Sequence, residues 1–309
     1  MPIAPLPDVK LNYLQFSQLN SNHSQNSPKP KPDLILVHGL ATSLAFWYHL
    51  AECFAHTHRV TLFDLRGHGR SSMPASGYTP SHLAADLRAL MEYLEIETAD
   101  LVGHSFGGAV SLHFALNYPQ KVNRLVLADT RLKLFQPQLQ TRDWLHWSQL
   151  KPNLAKFDIE ISEDHPEAGY QLLVEIARLQ LQQPQKKSPF PKILAKLFPQ
   201  GSKQSAQRWL KLLDTTTAAQ DFQTGNTLNF NQVKNFSQPT LAIYGEQSPT
   251  LPTARALQKI WSHLEFALVP QAGHFFPLSQ PDFLVNAINV YFQSRTKSRI
   301  TKISFPENL

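Results

Sequence analysis

Residues 99–110 read ADLVGHSFGGAV, and the reading of Ser105 within them decides the fold. An apolar run of strand character ends at a serine set among Gly103, Gly107 and Gly108. A turn that needs positive φ uses one glycine, or two. Three around one hydroxyl point to a backbone bent hard at Ser105, with neighbouring chain too close to admit a Cβ. Gly103-x-Ser105-x-Gly107, after a strand and before a helix, is the pattern of a nucleophile elbow, a sharp turn that lifts a serine Oγ above a sheet edge. There the amide of Phe106 and the N-terminus of the following helix meet developing negative charge. A serine acting only as a helix cap would not need all three glycines.

Outward from the elbow, short apolar runs alternate with helical patterns. LNYLQF (11–16), DLILVHG (33–39), RVTLFDLRG (59–67), NRLVLAD (123–129), PTLAIYG (239–245) and LEFALVP (264–270) read as strands, several of them apolar throughout, as in a sheet covered on both faces. HLAADLRALMEYLEI (82–96), with Ser81 as its N-cap, FGGAVSLHFALNYP (106–119) and PDFLVNAINVYFQS (281–294) read as helices between them. This alternation predicts a mostly parallel sheet flanked by helices. The rhythm breaks between Asp129 and Pro239, where TRDWLHWSQL, AGYQLLVEIARLQL and SAQRWLKLLDTTTAAQDF are helical in pattern. The chain therefore divides into a core, 1–132 with 226–309, and a helical cap or lid, 133–225. SQLNSNHSQNSPKPKP (17–32) reads as a surface loop.

With 309 residues, 42% hydrophobic and 10% aromatic, the chain buries a full core, which excludes global disorder. The formal charge of +6 is not gathered into one arm, and the basic stretch SRTKSRITK (294–302) reads as a frayed terminus, so no nucleic-acid partner is expected. The single cysteine, Cys53 in HLAECFAH, forms no internal disulfide and reads as a small core hydrophobe. MPIAPLPDVK has no apolar signal region, and no run approaches the ~18 apolar residues of a membrane span. A cytoplasmic protein without stable membrane insertion, monomeric or homodimeric, is the expectation.

On these motifs the chain resembles the α/β-hydrolase fold family over nearly its whole length. The resemblance implies an eight-stranded, mostly parallel twisted sheet flanked by helices, with a helical cap inserted after the sixth strand, here NRLVLAD. His38-Gly39 is similar to the family's HG motif, which implies the amide of Leu40 as an oxyanion donor beside that of Phe106. Asp64-x-Arg66-Gly67-His68-Gly69-x-Ser71 is similar to the loop after the next strand in many members. His38, Gly39, Gly103 and Gly107 support these motifs.

A serine hydroxyl needs a base. Among 13 histidines, His274 stands apart: LVPQAGHFFPLSQP puts it on a loop at the sheet edge that bears Ser105, and the family carries its base in a similar G-H-F context. His104 fills a variable elbow position, and His38, His68 and His104 read as positioning residues. The third member of a triad is an acid that orients the imidazole. Most relatives place it just after the seventh strand, where this chain has Tyr244-Gly245-Glu246-Gln247-Ser248-Pro249 and Ser248 stands at the expected position. Three explanations stay open: Asp129 at the end of NRLVLAD, as in some family branches; Glu246 from the usual turn; or no acid at all.

The implied function is hydrolysis of a carboxylic ester, lactone or thioester with a hydrophobic acyl group, by Ser105, His274 and Asp129, with no metal and no organic cofactor. Trp144, Trp147, Phe157, Phe190, Phe198 and Trp209 supply the cap's aromatics, of which two or three would line the pocket, while Phe275 and Phe276 would wall the acyl site. Arg131 pairs either with an anionic substrate or in a salt bridge. Two alternatives stand beside this reading: a lyase or cofactor-free haloperoxidase on the same scaffold, and a catalytically impaired ligand-binding module, which Ser248 keeps open.

Overall fold

A computed structural model describes residues 1–17, 31–145, 147–182, 203–224 and 228–294. Most of the polar loop 17–32, Phe190, Phe198 and the basic stretch beyond residue 294 lie outside the described residues. Eight strands form one sheet: β1 (Ile3–Pro5), β2 (Lys10–Phe16), β3 (Asp33–Val37), β4 (Arg59–Phe63), β5 (Ala99–His104), β6 (Val122–Ala128), β7 (Thr240–Gly245) and β8 (Glu265–Val269). Their spatial order is β1-β2-β4-β3-β5-β6-β7-β8. The first two pair antiparallel, and all pairings from β3 onward are parallel.

The apolar runs persist because the sheet has two cores. Along β3, Leu34 and Leu36 enter one cluster while Ile35 and Val37 enter the other, and β6 repeats this with Val126 and Ala128 against Leu125 and Leu127. A pleat sends successive side chains to opposite faces, so a strand covered on both faces has no polar position to show. Helices α1 (Tyr48–Ala55) and, at the end of the chain, α11 (Pro281–Ser294) cover the first face. Helices α2 (Pro80–Tyr93) and α3 (Phe106–Asn117) cover the second, joined by α9 (Leu251–Ile260). Between β6 and β7 stand α4 (Trp147–Ala155), α5 (Ala168–Gln182), α6 (Lys203–Thr215) and α7 (Ala218–Thr224), a helical insert with an isolated bridge, Leu139 to Glu167, as its β pairing among the described residues, followed by α8 (Phe230–Lys234), whose Val233 joins the second core. Trp147, Leu172 and Trp209 of the insert join the first core, so the insert is packed on the sheet domain.

Three local expectations are corrected. Helix α2 starts two residues earlier, with Thr79 accepting from the His82 amide and Pro80 at its first position; Ser81 lies inside it. Proline suits that position because its missing N–H would be unpaired there. Cys53 is exposed, since α1 buries Leu50, Ala51, Phe54 and Ala55 and position 53 falls off that face. Phe276 is fully buried at the start of the short helix α10 (Phe276–Ser279) and packs into the core instead of walling a pocket. Among the described residues no helix is long and apolar enough to cross a membrane.

Candidate active site

The carboxyl ends of β5, β6, β7 and β8 meet at one edge of the sheet, where a parallel sheet places its ligands. Ser105 follows β5 directly. Its φ of 55° and ψ of −122° lie far from any relaxed conformation for a residue with a Cβ, a strain of about 1–3 kcal/mol. The backbone holds it there: the Ser105 amide donates to Ala128 O at 3.0 Å, and its carbonyl accepts from the Gly108 amide at 3.0 Å. The glycines supply room, because a Cβ at Gly103 would meet the Gly107 carbonyl and one at Gly107 would meet the carbonyls of Val37 and His38. The positive φ belongs to Ser105 alone of these four. Its side chain makes no capping hydrogen bond to α3, which leaves Oγ available.

That hydroxyl lies 3.0 Å from His274 Nε2. The other ring nitrogen, Nδ1, lies 2.7 Å from Asp129 Oδ1. With a carboxylate on Nδ1, the imidazole carries its proton there, and Nε2 accepts from the serine. Asp129 is fully buried at the end of β6, with φ of 51°. Its Oδ2 accepts from the Gly245 amide at 2.8 Å, and Oδ1 also accepts from Thr250 Oγ1 at 2.5 Å and from Ser248 Oγ. Burial raises the carboxyl pKa, but His274, the Gly245 amide and the Ser248 hydroxyl outweigh it and hold the group below its ordinary value. Of the three acid explanations, only Asp129 has a carboxylate on His274. Glu246 accepts from the Gln271 amide at 2.8 Å and closes its own loop. Ser248, at the position where most relatives carry their acid, donates to Asp129.

Beside the serine runs the His38-Gly39 turn, close enough that a Cβ on Gly39 would lie 3.1 Å from that of Ser105. The Leu65 amide donates to His38 Nε2 at 3.0 Å, so the ring proton sits on Nδ1, which donates to Gly39 O at 2.7 Å. Thr42 Oγ1 donates to the same carbonyl at 3.0 Å. Two donors thus fix the Gly39–Leu40 peptide by its oxygen, and the Leu40 N–H of that peptide points the opposite way. Burial keeps His38 neutral, with a pKa lowered to about 4. Neither the Leu40 amide nor the Phe106 amide donates to an acceptor among the described residues, and both residues line the cavity that holds Ser105. Such a pair of unspent donors is what an oxyanion requires. His104 Nε2–H donates to the His274 carbonyl at 2.9 Å and ties the histidine loop to the elbow; burial and the neighbouring His274 lower its pKa to about 3.

The cavity above these groups has a volume of about 580 Å³, within the range of small-molecule sites. Its walls are mainly apolar, with Leu172, Leu173, Tyr170 and Phe222 from the insert. Of the cap aromatics expected there, Trp144 lines it; Trp147 and Trp209 are buried in the first core and Phe157 packs against that core. Phe275 lines it beside His274. Arg131 lines it too, although its guanidinium is paired with Glu167 at 2.5 Å. No sequence motif singles out Thr42, Thr250, Lys133 or Glu167. Thr250 stands in the same turn as Ser248 and carried a weak signal; Lys133 and Glu167 carried none, since only the folded insert brings them together.

Residues 32–281 match the family described as alpha/beta hydrolase fold. Among curated proteins, the chain is 26% identical over 283 residues to a 3-oxoadipate enol-lactonase of Acinetobacter baylyi, covering 91% of this chain and 92% of that one. Among solved structures, it superposes on an N-acyl homoserine lactone degrading enzyme with a TM-score of 0.65 at 21% identity, covering 94% of this chain and 99% of the other. The enol-lactonase of Burkholderia xenovorans LB400 gives a TM-score of 0.64 at 19% identity, covering 94% and all of that chain.

Proposed function

The chain belongs to the α/β-hydrolase fold family, and on that premise we propose that it is a serine hydrolase of carboxylic esters or lactones with a hydrophobic acyl part. The observation that carries this is the run of hydrogen bonds from Ser105 Oγ through both nitrogens of His274 to Asp129, at 3.0 and 2.7 Å. Ser105 Oγ attacks the substrate carbonyl carbon while its proton passes to His274 Nε2. Asp129 accepts from Nδ1 and stabilises the imidazolium so formed. The oxyanion takes hydrogen bonds from the Leu40 and Phe106 amides, and α3 adds the positive end of its dipole. As the C–O bond breaks, Nε2 returns the proton to the leaving alkoxide. Water then repeats the sequence on the acyl-enzyme and frees the acid and Ser105.

All three of these similar proteins are named for lactones, which favours a cyclic ester, where the leaving hydroxyl stays tethered to the acyl group. The impaired-module reading rested on Ser248; that hydroxyl donates to Asp129, which supports a working acid taken from β6. The test is hydrolysis of 4-nitrophenyl esters of graded acyl length and of aliphatic lactones. Wild type is expected to turn over at least one series, and Ser105→Ala to lose about 10⁴-fold or more in kcat. Hydrolysis that survives Ser105→Ala would rule the reading out.

A further inference from the structure

We propose that the hydrolase recognises acyl compounds carrying a carboxylate remote from the reacting carbonyl, and that Lys133 is the residue that meets it. This rests on the ester-hydrolase reading. Three charged side chains line the cavity, namely Arg131, Lys133 and Glu167. All three are largely buried, with side-chain exposures of 13%, 18% and 12%. Two cations face one anion, so this wall carries a net positive charge inside an otherwise apolar pocket. Two of the three histidines in the lining leave the sum unchanged: burial lowers His104 to a pKa of about 3 and His113 to about 4, and both are neutral.

The two cations are held differently. Arg131 is clamped on all three nitrogens: Nε donates to Gln136 O, Nη2 to Pro137 O, and Nη1 and Nη2 to the two oxygens of Glu167. Four of its five N–H groups are used, and the guanidinium acts as a fixed charge that pins Glu167. Lys133 pairs with Glu167 Oε1 at 2.9 Å and donates to the Gln223 carbonyl of α7. An ammonium has three donors, so one remains without an acceptor among the described residues. Glu167 repels an incoming anion weakly, because both of its oxygens are already engaged. Asp129, buried beneath His274, carries the negative charge at the chemical end of the site. A substrate carboxylate is therefore drawn to the Lys133 wall and away from the base, which leaves the ester carbonyl for Ser105. A carboxylate on an ammonium in a pocket of low dielectric is a charge-assisted contact, stronger than its surface counterpart.

The experiment compares chains that differ only at the far end. 4-Nitrophenyl monoesters of adipic, pimelic and suberic acid are run against 4-nitrophenyl esters of the monocarboxylic acids of the same length. Wild type is expected to show a KM about tenfold lower for at least one carboxylate-ended ester than for its methyl-ended partner. Lys133→Met should abolish that preference by raising the KM of the carboxylate-ended ester about tenfold relative to its methyl-ended partner, while Lys133→Arg keeps it. In parallel, monomethyl pimelate and methyl heptanoate are titrated calorimetrically into Ser105→Ala, where the same preference is expected at equilibrium and should vanish in Ser105→Ala/Lys133→Met. Hydrolysis of both ester classes without a carboxylate preference overturns the inference and leaves the hydrolase reading standing. Preferential binding without turnover overturns the hydrolase reading and keeps the recognition site. If Lys133→Met raises both KM values alike, Lys133 is only a clasp between α7 and the sheet domain, and the inference fails.

Discussion

The elbow and the insert use opposite means to hold a side chain in place. At the elbow the main chain does the work: Ser105 and Asp129 both sit at positive φ, and each is fixed by a strand-end hydrogen bond, Ser105 N to Ala128 O and Asp129 N to Ile243 O. In the insert, side chains pack on side chains: Trp209 stacks on Phe222 at 5.8 Å, and Tyr170 meets Trp209 edge-on at 6.2 Å. Backbone constraints tolerate little change, while packed helices accept substitutions of similar volume. The proposed function uses both: the first region would hold the reacting atoms fixed, and the second would shape the pocket for the substrate.

Two glycines test this contrast with the largest expected effect. A Cβ at Gly107 would collide with the backbone carbonyls of Val37 and His38, which cannot move without opening β3. Gly107→Ala is expected to cost at least about 3 kcal/mol, read from urea unfolding. At Gly169 in α5 the nearest atom is a terminal carbon of Leu139, at 3.3 Å, on a side chain that can turn aside. Gly169→Ala should stay within about 1 kcal/mol of wild type, the gain in helix propensity offsetting the contact. Equal costs at the two sites would break the contrast.

Acid sharpens it with a smaller, graded effect. His38, His68, His104 and His113 are buried and neutral in or against the sheet domain, with pKa values lowered from 6.5 to about 4, 3, 3 and 4. From pH 6.5 downward the unfolded chain takes up protons that the folded chain refuses, so the unfolded state binds more and stability falls with pH. Each group contributes up to about 1.4 kcal/mol per pH unit over its window, with the full stability present above 6.5. Urea midpoints at pH 7, 6 and 5 should decline progressively; a flat profile would mean that these imidazoles protonate in the folded state.

The same contrast explains what was legible in the sequence. The elbow was readable because its geometry demands glycine and serine at fixed spacing, and His274 because its loop is marked by Pro270, Gly273 and Pro277. Strand β1 has no sequence signal: Ile3–Pro5 is a three-residue strand containing a proline, which pairs with β2 alone among the described residues and shows no apolar run. Asp129 was one of three possible acids because proximity across 145 positions leaves no local mark. Ser248 reads in sequence as a missing carboxylate and in the fold is a hydrogen-bond donor to Asp129, a contact visible only once β6 and β7 lie side by side. Helical spacing identified the insert's aromatics but not which face of each helix meets the cavity, so Trp144 could not be told from Trp147 and Trp209.

The central claim is that the acid of this site comes from the end of β6. The most direct measurement is kcat for the best ester with Asp129→Asn and Glu246→Gln beside wild type, each checked for folding by circular dichroism. The account predicts a loss of about 10³- to 10⁴-fold for Asp129→Asn and a change within about twofold for Glu246→Gln. A folded Asp129→Asn enzyme with near wild-type turnover would contradict it.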